Sequence, residues 1–71
     1  MIRRDSRNIG KTVRINIPGT VVHNRIGKVK AFRGNHSKGN PFVVVFVYNL
    51  HNKGGGSYTF PGNRLEVVKP K

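Results

Sequence analysis

A chain of 71 residues with no cysteine and no tryptophan makes one small domain. Its core must come from Ile, Val, Leu and Phe side chains, without a disulfide or a thiolate zinc site to support it. Fourteen Lys and Arg stand against two acids, Asp5 and Glu66, for a formal charge of +12. Such an imbalance destabilises an isolated compact state and favours a polyanionic partner: nucleic acid first, then an anionic membrane surface or an acidic protein.

Residues 1–8 read as a basic arm, with Arg3, Arg4 and Arg7 set among polar neighbours. The arm is expected either to fray or to order along a phosphate backbone. No apolar h-region follows these charges, so no signal peptide is expected, and no stretch approaches the ~20 apolar residues of a membrane span. The expected location is cytoplasmic, with no membrane insertion.

A domain is expected over residues 9–69, followed by a short basic tail at 70–71. Lys11–Ile17 alternates Val13, Ile15 and Ile17 with Thr12, Arg14 and Asn16, the period of a half-buried strand. Pro18-Gly19 ends it with a turn signal. Thr20–His23 fits either a short strand or the start of a long loop. Ile26–Arg33 is the second strand. Strict alternation places Lys28, Lys30 and Phe32 on one face and Gly27, Val29 and Ala31 on the other. Two cations beside a ring match the composition of a nucleic-acid platform.

Gly34–Asn40 is rich in turn formers and is expected as a long, mobile hairpin loop. Pro41–Tyr48 is the longest apolar run and the expected third strand. Val43, Val45 and Val47 point one way; Phe42, Val44, Phe46 and Tyr48 point the other. With both faces apolar, this strand is expected to be covered on two sides or to lie in a strongly curled sheet. Asn49–Ser57 is a flexible connection without a phosphate-loop signature after its three glycines. Ser57–Phe60 is a short strand, Pro61–Arg64 a tight turn or a single turn of 3-10 helix, and Leu65–Val68 the last strand.

These parts predict an all-β fold: a single small, strongly bent, five-stranded barrel with a one-turn 3-10 helix before the last strand. Tyr58-Thr59-Phe60-Pro61-Gly62-Asn63-Arg64-Leu65-Glu66-Val67-Val68 resembles the end of a Src-homology-3-like barrel, where an aromatic-Pro-small-Asn turn precedes the final strand. Val13-Arg14-Ile15, Ile26-Gly27-Lys28-Val29 and Pro41–Phe46 fall where such a barrel has its first three strands. Gly27-Lys28-Val29 after Gly19 is similar to part of the KOW motif of ribosomal and transcription-elongation proteins. The layout also resembles the small stromal barrel subunit of photosystem I. The absence of tryptophan and of an acidic first loop argues against the proline-peptide groove of signalling Src-homology-3 domains.

The three histidines, His23, His36 and His51, lie on different expected loops and read as surface residues. No metal site, cofactor or catalytic group is expected. The expected function is therefore non-enzymatic: nucleic-acid binding by charge and shape, with RNA or a ribonucleoprotein favoured over duplex DNA. Arg14, Arg25, Lys28, Lys30, Phe32, Arg33, Lys38 and Arg64 are the candidate contacts, with Arg3, Arg4 and Arg7 as an accessory arm. Tyr48 and Tyr58 are further candidate stacking rings, each expected half-buried at the core rim. The alternative is a docking or regulatory subunit whose basic face seats on an acidic surface of a polymerase, a ribosome or a photosynthetic complex.

Overall fold

The computed structural model describes residues 2–48 and 55–68. Five strands, β1 (Thr12–Ile15), β2 (Ile26–Ser37), β3 (Asn40–Val47), β4 (Gly56–Pro61) and β5 (Leu65–Val67), form one antiparallel sheet in the order β4-β3-β2-β1-β5. A one-turn 3-10 helix, Gly62–Arg64, precedes β5. The sheet stays open: no ladder joins β4 to β5 among the described residues. The expected tail at 70–71 and His51 lie outside those residues, as does the connection from Asn49 to Gly54.

The core forms on one face. Val13 and Ile15 of β1, Val29 of β2, Val43, Val45 and Val47 of β3, Phe60 of β4 and Leu65 of β5 are buried there, all on the alternation that their strands impose. The opposite face of β3 is only half-covered, so of the two expected arrangements the strand is not covered on both sides.

The connection from β1 to β2 is a chain of tight turns, and Thr20–His23 is not a strand. The Thr20 hydroxyl donates to the Ile17 carbonyl at 2.7 Å, and the Arg25 N–H donates to the Val22 carbonyl at 3.0 Å. Gly19 and Asn24 take the left-handed backbone these reversals need, at φ of 85° and 64°.

The hairpin between β2 and β3 also departs from the sequence reading. Gly34–Ser37 continues β2, and the turn shrinks to Lys38-Gly39 with Ser37 opposite Asn40. Ladder bonds are made by the backbone, so polar side chains extend a strand wherever a partner strand runs alongside. The added length of β2 is taken up in irregularities. Its register against β3 shifts between Val29 and Ala31, between Phe32 and Asn35, and between Asn35 and Ser37. Each shift places an extra residue on β2, and such bulges bend a strand and increase its twist.

Residues 2–8 are tied to the domain rather than hanging from it. Ile2 is 1% exposed and belongs to the core cluster. Its N–H donates to the Gly62 carbonyl at 3.0 Å. Gly62 permits this approach, because a Cβ there would collide with the Ile2 carbonyl oxygen. Ser6–Asn8 form a 3-10 turn whose cap, Asp5, accepts from the Arg7 N–H at 2.9 Å. The arm reading missed this because a lone apolar residue beside three arginines carries no periodicity. Ile2→Ala is expected to cost about 2–5 kcal/mol, as for other large-to-small changes in a core. That is a large share of the roughly 0.05–0.15 kcal/mol per residue that holds a domain. A fall in the urea midpoint at unchanged slope would register it; an unmoved midpoint would place Ile2 outside the cooperative core.

Candidate nucleic-acid interface

The face opposite the core is built by β3 and its neighbours. Phe42, Val44 and Phe46 are half-buried there, and Tyr48, just past the end of β3, is 41% exposed. The Phe46 and Tyr48 rings meet edge-on with centroids 5.4 Å apart, and His36 meets Phe42 edge-on at 5.5 Å. Both separations lie in the favourable range for aromatic pairs. Directly opposite Phe46 across the ladders stand Lys28 of β2 and Ser57 of β4; Thr12 of β1 in turn faces Lys28. The Lys30 ammonium lies 5.9 Å from the centre of the Phe46 ring, within cation–π reach. Ile26, 38% exposed, lies alongside Tyr48, whose N–H donates to its carbonyl at 3.1 Å. Arg14 shares this side of β1 and points to Glu66, with a nitrogen–oxygen distance of 2.6 Å.

Phe32 is not part of this face. Lys28 sits opposite Phe46 and Val29 opposite Val45, but Ala31 is opposite Val44 and Phe32 opposite Val43. Lys30 is the inserted residue. One insertion reverses the face of the residues that follow it, up to the next shift, because the side-chain period is two. Phe32 therefore packs on the core, and the Arg4 guanidinium lies 5.9 Å from its ring centre. The ring beside the two lysines is Phe46. The sequence did carry the signal for Phe46 and Tyr48, in the second apolar face of Pro41–Tyr48. The expectation of a covering, curled sheet left Phe46 out of the candidate contacts, while Tyr48 stayed among the candidate stacking rings.

The remaining predicted contacts fall into two further groups. The backbones of Arg25 and Arg64 flank the end of β1: the Arg25 carbonyl accepts from the Ile15 N–H at 3.0 Å and the Arg64 carbonyl from the Asn16 N–H at 2.8 Å. Arg33 and Lys38 lie on the β2–β3 hairpin, and Arg33 is joined to the N-terminal segment through its carbonyl, which accepts from Arg4. Arg7 is held by Asp5, with a 2.8 Å ion pair. Hydrogen bonds from the Arg7 side chain, and then from its backbone, keep the Asp5 carboxyl below the usual carboxylate range. Both acids of the chain are thus paired within it, Asp5 to Arg7 and Glu66 to Arg14.

Tyr58 is as exposed as Tyr48 but stands opposite Val45, on the core side of the edge strand, with its ring 6.5 Å from that of Phe60. Neither tyrosine is as covered as a core-rim position would require. His36 is exposed, whereas His23 is half-buried with its Nδ1 enclosed and without a hydrogen-bond partner among the described residues, so it is not the simple surface histidine expected. Among the described residues no three His, Asp or Glu groups gather, and no helix is long and apolar enough to cross a membrane. Comparison with known proteins found no matching family model, no matching curated protein and no matching solved structure.

Proposed function

We propose that the chain is a non-enzymatic nucleic-acid-binding module that lays single-stranded RNA across the face of Phe46 and Tyr48. One observation carries the reading: rings on the face opposite the core lie beside Lys28 and Lys30, on a chain whose acids are already paired. Bases stack on the rings and phosphates meet the ammonium groups, a division of labour that needs no sequence-reading motif. The strand order, the long connection between β1 and β2 and the 3-10 turn before β5 support a Src-homology-3-like small barrel as the scaffold. The test is a salt titration with a fluorescent oligouridylate. Affinity is expected to fall steeply between about 50 and 200 mM salt, by roughly 0.7 log unit per log unit of salt for each phosphate contacted. A flat profile would end this reading.

A second reading rests on the aliphatic members of the same face. Val44 and exposed Ile26 offer surface that a nucleic acid does not require and that an acidic, partly apolar protein surface would cover. A co-purifying protein that survives nuclease treatment favours docking to a larger assembly; loss of the partner with the nucleic acid favours RNA.

A further inference from the structure

A second basic feature lies away from the aromatic face. Arg3, Arg4, Asn35, Gly39 and Pro41 line a cleft of about 560 Å³ between the N-terminal segment and the tip of the β2–β3 hairpin. Asn35 and Pro41 stand opposite each other, and Pro41 has the same alternation as buried Val43, so the cleft is on the core side of the hairpin. The segment bearing the two arginines is fixed at both ends, by Ile2 in the core and by the turn at Ser6–Asn8. Arg4 is further held by the Arg33 carbonyl, by Asn35 Oδ1 at 3.0 Å and by the Phe32 ring. Both named bonds use one terminal nitrogen, Nη2, and a guanidinium has five N–H donors in all, so Arg4 keeps donors to spare. Asn35 accepts through its oxygen, which leaves its amide N–H groups as donors. Gly39 adopts a φ of 74°, and a Cβ there would meet nothing within 4 Å, so the turn backbone is open to approach. Among the described residues no carboxylate lines the cleft, and Asp5, next in sequence to Arg4, is committed to Arg7.

A held guanidinium (Arg4), a second one on an anchored backbone (Arg3), an amide and an open turn, without a counter-charge among the described residues, form a site for a compact oxyanion with several acceptor oxygens. We propose that this cleft is a phosphate-binding site, separate from the aromatic face and independent of it. Partial pre-organisation is the physical basis: the Arg4 guanidinium is positioned by contacts made within the chain, and the Arg3 backbone is held by Asn8, whose side-chain amide donates to the Arg3 carbonyl at 2.9 Å, so the freedom lost when a phosphate is bound is mainly that of the Arg3 side chain. The source of the phosphate is a nucleic-acid backbone or a free polyphosphate, and one experiment separates them.

Inorganic pyrophosphate is titrated into the full chain at low salt, followed by amide and arginine Nε–H NMR shifts. Saturable shifts are expected at Asn35, Gly39, Arg3 and Arg4. Arg3→Ala should weaken the midpoint by about tenfold, in line with a lost charge-assisted hydrogen bond. Arg3 is exposed, so the variant should fold; Arg4→Lys, which keeps the charge but loses the fork, should also weaken binding. Tyr48→Ala should leave pyrophosphate binding unchanged whether or not the sheet face takes RNA, so the two readings fail separately. A short oligouridylate without terminal phosphates that displaces pyrophosphate identifies a nucleic-acid backbone as the source; failure to displace it identifies a free phosphate species. Shifts that do not saturate, or that spread equally over Lys28, Lys30, Arg25 and Arg64, overturn the proposal.

Discussion

Replacing Gly27 by alanine should destabilise this domain by roughly 3 kcal/mol, the upper end of what overpacking a well-filled core costs. A Cβ at Gly27 would lie 2.5 Å from Val45 Cγ1 and 2.6 Å from the Phe46 carbonyl oxygen. Neither neighbour can yield. Val45 is wholly buried in the centre of the core, and the Phe46 carbonyl belongs to the backbone of the central strand. Gly27 is also where β2 is gripped from both sides, opposite Val13 of β1 and Val47 of β3, so a shift there loosens two ladders together. A loss of this size should lower the melting temperature by roughly 10–20 °C in a domain of this length. Gly34→Ala is the matched control: a Cβ there would meet nothing within 4 Å, so its midpoint should stay within a few tenths of a kcal/mol of the parent, or rise. Equal midpoints for the two variants would mean that β2 and β3 do not approach as closely as described.

The second large effect concerns binding. Tyr48→Ala should weaken oligouridylate binding by about tenfold or more, since a stacked base is worth roughly 1–3 kcal/mol. Tyr48 is 41% exposed and outside the core cluster, so the urea midpoint should barely move. Lys28→Ala with Lys30→Ala should reduce the salt slope by about 0.7 for each phosphate contact removed. Phe32→Leu is the informative comparison. Strict alternation puts Phe32 with the lysines, whereas the bulge at Lys30 turns it to the core. Its replacement should leave affinity intact at a modest cost in stability. If affinity follows Phe32 and ignores Tyr48, RNA does not lie on the β3 face.

Phe46 occupies a position between these two cases. It is half-buried, packs against Tyr48 and lies within reach of Lys30, so its removal would alter the face and the sheet together. Tyr48 is the cleaner probe for that reason. Arg14 is less informative than its place on the sheet suggests, because Glu66 already meets its charge.

Much of this architecture was legible in the residues themselves. The alternation in Val13–Ile15 and the β-branched run at Pro41–Tyr48 located β1 and β3, and Pro61–Arg64 announced the turn before β5. These signals are local: backbone preference and side-chain period act within a few residues, so one sequence suffices to read them. The excess of positive charge is likewise a property of composition alone. What the residues did not disclose depends on pairing between distant segments. The bulge at Lys30 exists because β2 must follow a shorter β3, and it decides that Phe46 rather than Phe32 stands beside the lysines. Ile2 enters the core because Gly62 leaves room for its backbone. Arg3 and Arg4 face the hairpin tip because Ile2 anchors them there. Sequence by itself determined the strands, the charge and the residue types available for binding. Tertiary structure alone decided which of them share a face, because strand register is set by partners far along the chain, and a single inserted residue reverses it.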